Sequence, residues 1–494
     1  MVIEELWYAI AGFCAMKAFE PCPKAALSLA LLGACLAGCT TPEPLPDIDR
    51  FVPRAYRDAS PRHELPRPSS DWWREFSSAE LNRLQENALL NNRDLQAAIA
   101  RVAQAQAQAR IAEGALYPNV EAYARREAEA PAAGVGMAET TRDWNQLNRQ
   151  RLGLRTNYEA DLWGKSGYAV DSALAQTVAS VHQRETVALT LTADLAAAYI
   201  EYLSFNDRVV IAARGLSSRR EQLQAVGKRL QQGEATALEV AQQRVALATA
   251  ESVAATLEQR RERAFNRIAV LVGVSPPELA LEARSLNGVA VPSIKAGLPS
   301  ELLCRRPDVR RVEAQLAAAE FDVRSLRANL LPSFSLSGEI GSGARHLAAL
   351  SNPASLFFLA TGSLLQTVFD AGRKQNQVEL ARAKHLELLH QYSSVLLTAL
   401  REVEDALAGT RLTEEQHRAL AEAVQGAQSN YVLNRRSFEA GAVDAIALLD
   451  AEQRMIAAED SSESARYDRL RAAVDLFRSL GGGSRVSDKG PCTG

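Results

Sequence analysis

The chain has 494 residues, of which 23% are charged and 47% apolar, and its formal net charge is −3. This balance gives no basis for nucleic-acid binding, and the 6% share of aromatic residues favours closely packed helices over a bulky globular core. Outside the N-terminal region, no uncharged apolar run reaches the length of about eighteen residues that is typical of a membrane-spanning helix.

The N-terminal region predicts a secretory signal over residues 1–38. Lys24 precedes the apolar run AALSLALLGACLAG, which ends just before Cys39. A positive flank, a short apolar stretch and small residues before a cleavage point are typical of such a signal. The residues LAGC at 36–39 resemble the bacterial lipoprotein signal, which implies a diacylglycerol on the Cys39 thiol. The alternative is a chance LAGC within a buried helix.

The flanks of this signal carry two further expectations. Residues 1–15 do not fit a signal peptide, and Met16 followed by lysine is a more natural start, so residues 1–15 are treated as a possible mis-called start. Thr40 in place of aspartate favours the outer membrane under the bacterial sorting convention. Residues 39–70 are rich in proline and poor in periodicity, which indicates an extended, lipidated strap.

An aromatic cluster follows the strap. Trp72, Trp73 and Phe76 precede Leu81 and Leu84, a spacing that predicts an amphipathic helix with an aromatic anchor. The simplest interpretation of this anchor is a buried structural staple.

A pair of glycines recurs along the chain and defines a duplication. Gly164 and Gly233 are 69 residues apart, as are Gly372 and Gly441, and the second pair lies 208 positions after the first. The segment after Gly372 has no proline before Gly441, and its apolar residues recur at three- and four-residue steps, which predicts a helix roughly 100 Å long. The order of elements in each copy is a helix, two strands, a long helix, a tight turn and a returning helix.

The duplication sets the expected domain organisation. The first repeat covers residues 71–298 and the second covers residues 299–480, and residues 481–494 form a disordered tail. After each tip glycine, GEATALEVAQQRVALATAE aligns with GAVDAIALLDAEQRMIAAE without a gap.

Each repeat also carries two strand-like segments, at 118–125 and 151–162 and then at 332–343 and 355–370. Their lengths are near the roughly 9 to 11 residues of a tilted membrane strand. Four strands cannot close a membrane barrel, because open edges would expose unsatisfied amides to lipid. Several copies of the chain must therefore share one barrel.

Two motifs are specific to a known family. The stretch N-x-D-L-x-x-A-x-A-R at 92–101 follows the paired tryptophans, and LPSELLCRRPD occupies 298–308. Both resemble TolC-type outer-membrane efflux channels, in the lipoprotein (NodT-like) branch of outer-membrane factors that serve resistance–nodulation–division (RND) pumps.

The resemblance implies a fold and partners. The fold class is mainly α with a membrane β-barrel, in which tandem-duplicated helical hairpins form a trimeric α-barrel tunnel and three chains contribute twelve strands. The implied function is a passive exit duct for small molecules, lipid-anchored in the bacterial outer membrane and extending into the periplasm. The implied partners are two further copies, a periplasmic adaptor (membrane fusion) protein, an inner-membrane RND pump and outer-membrane lipid.

The sequence gives no basis for catalysis or a cofactor. The six histidines are scattered and none lies in an H-E-x-x-H motif. GEIGSGARH at 338–346 is superficially like a phosphate loop but is better explained as a barrel loop. Glu402 and Asp405 are expected on solvated helix faces. The chain is therefore predicted not to be an enzyme.

The functional positions are expected at the helical turns. By resemblance these tips face the adaptor, whereas the glycines alone are consistent with simple turns between antiparallel helices. The candidate docking residues are Arg229, Gly233, Leu238, Arg436, Gly441 and Leu448.

Asp450 is the candidate gate residue. In the family that the chain resembles, an aspartate near the second tip faces the narrow periplasmic entrance, and three copies would form a ring of negative charge. Position 447 is alanine, so the ring is expected to be single unless Asp444 also turns inward, and the first-repeat equivalent of Asp450 is Gln242. The alternative is an ordinary exposed aspartate near a turn.

Two other functions stay open from the sequence. A non-channel periplasmic coiled-coil scaffold lipoprotein explains the helices and the lipid signal but not the four strands. A duct for type I protein secretion uses the same fold. Substrate identity is not readable from the residues.

Overall fold

The structure is a computed structural model that describes residues 70–128, 148–292 and 305–482. These residues all belong to one compact unit, Val52–Gly494. The signal segment, Cys39 and nearly all of the strap and tail therefore lie outside the described residues, as does the 298–304 part of the second motif.

The described chain is mostly helical, and its order of elements repeats. The elements are α1 (Ala79–Asn91), α2 (Arg93–Gly114), β1 (Asn119–Ala128), β2 (Asn148–Ala160), α3 (Lys165–Gln231), α4 (Ala237–Val272), α5 (Pro307–Ala328), β3 (Ser333–Ala344), β4 (Leu356–Leu365), α6 (Arg373–Glu439) and α7 (Ala445–Ser479). From α2 onward, each element of the first repeat has a counterpart in the second.

The long helices confirm the prediction made from the glycine spacing. Helices α3 and α6 each have 67 residues, which corresponds to about 100 Å. Gly164 and Gly372 precede them with φ values of 76° and 79°, in the left-handed region that favours glycine. None of the described helices is both long and apolar enough to cross a membrane.

The four strands form one antiparallel sheet in chain order, β1-β2-β3-β4. The predicted strands are confirmed with shifts of a few residues at their ends, except that the fourth is shorter than the predicted 355–370. It ends at Leu365 because that residue pairs with Ser333, where β3 begins. Strands β1 and β4 are the two edges, so the sheet of one chain is open, as expected for a shared barrel.

The sheet has one apolar and one polar face. Directly paired residues share a face, so the register places Leu154, Ile340 and Phe358 side by side. These three side chains are 49%, 56% and 74% exposed, which suits contact with lipid. The opposite face carries Glu121, which accepts a hydrogen bond from Arg155 Nε at 2.8 Å.

The aromatic staple is confirmed, although the predicted continuous helix is wrong at its start. Trp72–Phe76 forms a separate 3-10 turn, because Ser77 adopts a φ of 56° and Ser78 then caps α1. Trp72 stacks on Phe477 at the end of α7, with ring centroids 4.9 Å apart. The staple thus holds the beginning of the first repeat against the end of the second.

Each repeat begins with a joint in which an N-cap side chain binds the end of the returning helix. Asn92 Nδ2 donates to the Leu271 carbonyl at 3.0 Å, and Arg306 Nη1 donates to the Ser479 carbonyl at 3.1 Å. Asn92 and Leu271 occupy the positions in the first repeat that Arg306 and Ser479 occupy in the second. The duplication therefore extends to individual hydrogen bonds.

The second joint corrects the expectation for Glu402. Arg306 is buried and pairs with Asp308 and with Glu402, each at 2.7 Å. Burial alone would raise the pKa of Asp308, but the hydrogen bond and charge of Arg306 lower it below its ordinary value. Glu402 thus belongs to a charged joint rather than to a solvated face, whereas Asp405 is exposed and pairs with Arg401.

Candidate functional site at the helical turns

The two turns have the same backbone geometry. Gly233 and Gly441 have φ values of 79° and 73°. The amide of Glu234 donates to the Arg229 carbonyl, and the amide of Ala442 donates to the Ser437 carbonyl, both at 2.8 Å. These bonds, with those of the two glycine amides, complete a Schellman motif that stops α3 and α6.

The returning helices are capped by different residues. Thr236 and Glu239 form a reciprocal capping box at the start of α4. At the equivalent place before α7, the Asp444 carboxylate accepts from the Ala447 amide at 2.9 Å. A neutral cap in the first turn is thus replaced by a charged one in the second.

Asp444 also connects the two turns. Its carboxylate lies 3.8 Å from Arg229 Nη1, across the boundary between the repeats. Arg229 additionally donates to the Glu234 carbonyl at 3.2 Å. Arg229 therefore holds its own turn closed with one nitrogen and reaches the opposite turn with the other. The sequence singled out both residues but not their contact.

Asp450 lies two turns into α7 and is half exposed, with 47% of its side chain accessible. Its described partner is Arg454, one helical turn further on. An exposed pair at this spacing contributes about 0.3–0.5 kcal/mol, which leaves Asp450 free to exchange partners. Its counterpart Gln242 has no charge, so the two turns differ in the way the sequence indicated.

The other predicted tip residues are spread around the turns rather than gathered in a pocket. Leu238 is 66% exposed at the start of α4, whereas Leu448 is half-buried. They are not equivalent positions, since Ile446 is the counterpart of Leu238. Arg436 is exposed, and the described residues give its guanidinium no ion-pair partner.

Sequence reasoning missed a row of polar contacts that joins α3 to α7 above the turns. Arg208 pairs with Asp460 through two hydrogen bonds of 2.7 and 2.9 Å. Closer to the turns, the Ser218 hydroxyl donates to Glu452 at 2.7 Å. These contacts join α7 to α3 of the first repeat. Helix α7 also packs along α6 of the second repeat, so it contacts both repeats.

No group of three potential metal ligands occurs among residues 70–128, 148–292 and 305–482. His417 lies on α6, and its buried Nδ1 has no hydrogen-bond partner among the described residues. Burial, and secondarily the charge of Arg469, lower its pKa. A neutral imidazole in this setting is a packing residue.

Comparisons with known proteins agree with this architecture. The sequence matches the family described as "Outer membrane efflux protein" over residues 84–274 and 298–482. The pyoverdine export outer membrane protein OpmQ of Pseudomonas aeruginosa is 35% identical over 469 residues, which cover 94% of this chain and 98% of OpmQ. Outer membrane protein OprJ of the same organism is 29% identical over 464 residues, which cover 93% of this chain and 95% of OprJ.

A solved structure gives the same result in three dimensions. The outer-membrane channel OprN superposes with a TM-score of 0.77 at 29% identity, over 90% of this chain and 98% of OprN. The resemblance read from the two sequence motifs is thereby confirmed, and it extends to the whole described fold.

Proposed function

Since this chain belongs to the outer membrane efflux protein family, we propose that its two helical turns form the gated periplasmic entrance of an export duct. The chain is an outer-membrane channel of a tripartite efflux system and is not an enzyme. Its partners are two further copies, a periplasmic adaptor and an inner-membrane RND pump. The duct itself is passive, and the pump supplies the direction of transport.

The contact between Arg229 and Asp444 is the observation that carries the gate proposal. It joins the end of α3 to the start of α7 at 3.8 Å, so that splaying the second turn away from the first must break it. Side chains exposed to this degree form pairs of about 0.2–1 kcal/mol. A link that weak is readily released when an adaptor binds, yet three copies together bias the entrance toward closure.

Asp450 is proposed to line the entrance beside this link. In a threefold assembly its carboxylates would form a ring that favours cations and resists close approach of the three tips. Its exposed pairing with Arg454 is weak enough to change as the entrance opens.

The outer surface of the turns is proposed to receive the adaptor. Leu238 presents an exposed apolar side chain near Gly233, and Arg436 presents an exposed guanidinium near Gly441 that has no ion-pair partner among the described residues. An apolar side chain and a charged one on the surface of the turns suit a polar-rimmed protein interface.

Lipid attachment at Cys39 remains a prediction from the sequence. The full chain should incorporate labelled palmitate in a diderm bacterium, and Cys39→Ser should abolish the labelling while the trimer still forms. Label retained in the serine variant would contradict the assignment.

Asp450→Ala tests the gate directly. The variant in planar bilayers should prefer potassium over chloride less than the unmodified chain, because the ring of negative charge is lost. Gln242→Ala is the matched control at the equivalent position of the first repeat and should leave this preference unchanged. Equal behaviour of the two variants would count against Asp450 as an entrance residue.

Asp444→Asn separates the link from the cap. Asparagine caps helices as well as aspartate does, so α7 should stay intact while the charge facing Arg229 disappears. The open-to-closed ratio should rise about 1.4- to 5-fold per chain, the equivalent of about 0.2–1 kcal/mol. Arg229→Gln should give a similar increase, and the double variant should add little. Fully additive effects would show that the two residues act separately.

A further inference from the structure

The polar face of the sheet is divided into two zones of opposite charge. The part nearest the helices carries Glu121, Arg155 and Glu339, with Glu159 four residues further along β2. The part farthest from the helices carries Arg125, Glu127, Arg149 and Arg151. The first zone has a net charge of −2 and the second a net charge of +2 for each chain.

The topology assigns the positive zone to one end of the sheet. Strand β1 leaves α2 at Asn119 and reaches its far end at Ala128, and β2 returns from Asn148. Arg149 and Arg155 are six residues apart, or about 20 Å along the strand. This separation is twice the Debye length of about 10 Å at 0.1 M salt, so the two zones act as separate fields.

The carboxylates of the acidic zone have partners among the described residues, whereas one guanidinium of the positive zone has none. Glu121 accepts a hydrogen bond from Arg155, Glu339 accepts one from the Tyr123 hydroxyl, and Glu159 pairs with Lys165 at 2.9 Å. In the far zone Glu127 pairs with Arg125 at 3.2 Å. Arg149 is exposed, and none of the described residues forms an ion pair with it.

Arg151 is held in place by an aromatic ring. Its guanidinium carbon lies 5.6 Å from the centroid of Phe357 on β4, at cation–π distance. Gly343 lies beside this pair, and a Cβ there would meet Arg151 Cγ at 3.7 Å and the Phe357 ring at 3.5 Å, which are ordinary van der Waals distances. A ring fixes the guanidinium without neutralising it, which leaves its donors available to an anion.

We propose that Arg149 and Arg151 form an anion-attracting belt at the outer mouth of the barrel. The proposal rests on the channel function, in which the polar face lines the lumen and the far end of the sheet opens to the exterior. Three chains would place six guanidinium groups around the mouth. The belt would raise the local concentration of carboxylate- or phosphate-bearing solutes and so favour the exit of anionic cargo.

The test is the ion preference of the full chain reconstituted in planar bilayers, measured in a potassium chloride gradient at about 0.1 M, where screening is moderate. Replacing both residues, Arg149→Gln with Arg151→Gln, should lower the chloride-to-potassium permeability ratio by about twofold. Potassium citrate in place of chloride should show a larger loss, because citrate carries more charge.

Two controls make the result specific. Arg126→Gln removes one positive charge from the neighbouring strand β1 on the apolar face, where Arg126 pairs with Gln150, and should leave the ratio unchanged. Arg149→Lys with Arg151→Lys keeps the charge and should keep the ratio. A double glutamine variant that conducts with an unchanged ratio would overturn the belt but leave the channel intact, as would an equal shift in Arg126→Gln. A full chain that gives no current even when Asp444→Asn removes the link to Arg229 would overturn both proposals.

Discussion

The two repeats contain the same elements, but their returning helices have different surroundings. Helix α4 packs on α3 and is buried mainly near its end, at Leu257, Ala264 and Ile268. Helix α7 packs on both α6 and α3 and has buried residues from Leu449 onward along its whole length. The two hairpins have the same fold, so they differ mainly in which helices pack against the returning helix.

The divergence is concentrated in charged residues. The neutral joint made by Asn92 in the first repeat is replaced by the charged joint of Arg306 in the second. Likewise the cap Thr236 is replaced by Asp444, which reaches across to Arg229. At both ends of α7 the second repeat thus has a charged contact where the first repeat has a neutral one.

The largest expected effect is at the joints. Arg306→Ala would leave Asp308 and Glu402 without their cation and should lower the free energy of unfolding by about 3 kcal/mol. Asn92→Ala loses a neutral cap and one hydrogen bond, which costs about 1–2 kcal/mol. Thermal unfolding of the two purified variants at one protein concentration, followed by circular dichroism, should rank them in this order.

A reversed ranking would mean that the charged joint contributes less than a neutral one. In that case Arg306→Gln, which retains a donor for the Ser479 carbonyl, should behave like the unmodified chain. If Arg306→Gln instead matches the alanine variant, the ion pairs with Asp308 and Glu402 carry the stability.

A second prediction compares the two ends of each hairpin. Gly273 and Gly481 end the returning helices at the joints, and a Cβ there would lie 2.5 and 2.9 Å from the carbonyls of residues 91 and 305. Gly233 and Gly441 have no such neighbour within 4 Å. Alanine at a tip should cost about 1 kcal/mol of backbone strain, and alanine at Gly273 should cost more than that because the carbonyl must also move.

The measurement is the unfolding midpoint of Gly273→Ala against Gly233→Ala, with Gly481→Ala and Gly441→Ala as the second-repeat pair. In both repeats the joint variant should have the lower unfolding midpoint, because the two joints are equivalent. If alanine at a tip glycine destabilises the protein as much as alanine at a joint glycine, the turns must be packed against another copy of the chain.

Local signals explain why much of the fold could be predicted from the sequence. The glycines at 164, 233, 372 and 441 occupy left-handed positions that end or begin a helix, so their spacing gave the long helices within a residue. The strands were predicted from the alternating character of successive side chains. Both signals depend on neighbouring residues and need no knowledge of the tertiary fold.

Contacts between distant segments could not be predicted in the same way. The pattern of a long helix shows which face is apolar but not which helix covers it, so the pairing of Arg208 with Asp460 gave no sequence signal. Glu402 was expected on a solvated face because it lies three residues from Asp405, an ordinary spacing on α6, yet its partner Arg306 is the N-cap residue of α5. The contact of Arg229 with Asp444 could have been suggested only by asking which charges the duplication brings to both turns.

The smallest expected effect concerns Glu463, which lies on the face of α7 that meets α3. Burial, the main cause, raises the pKa of its carboxyl above the ordinary value of 4.5, and the buried Oε2 has no hydrogen-bond partner among the residues that the structure describes. Further charges facing it are Asp207 of α3 and, on its own helix, Asp460 and Glu459, which raise the pKa, and Arg466, which lowers it. Its counterpart on α4, Ala255, is exposed.

Because the folded state binds the Glu463 proton more tightly than the unfolded state does, the ionised side chain lowers stability as the pH rises above about 4.5. Glu463→Gln should therefore stabilise the protein near neutral pH by a few tenths to about 1 kcal/mol, and the gain should disappear near pH 4.5. Glu258→Gln on α4 removes an exposed carboxylate that pairs with Arg261 at 3.2 Å and should give no gain at either pH. A gain for Glu463→Gln that persists at the lower pH would show that packing, rather than buried charge, distinguishes α7 from α4.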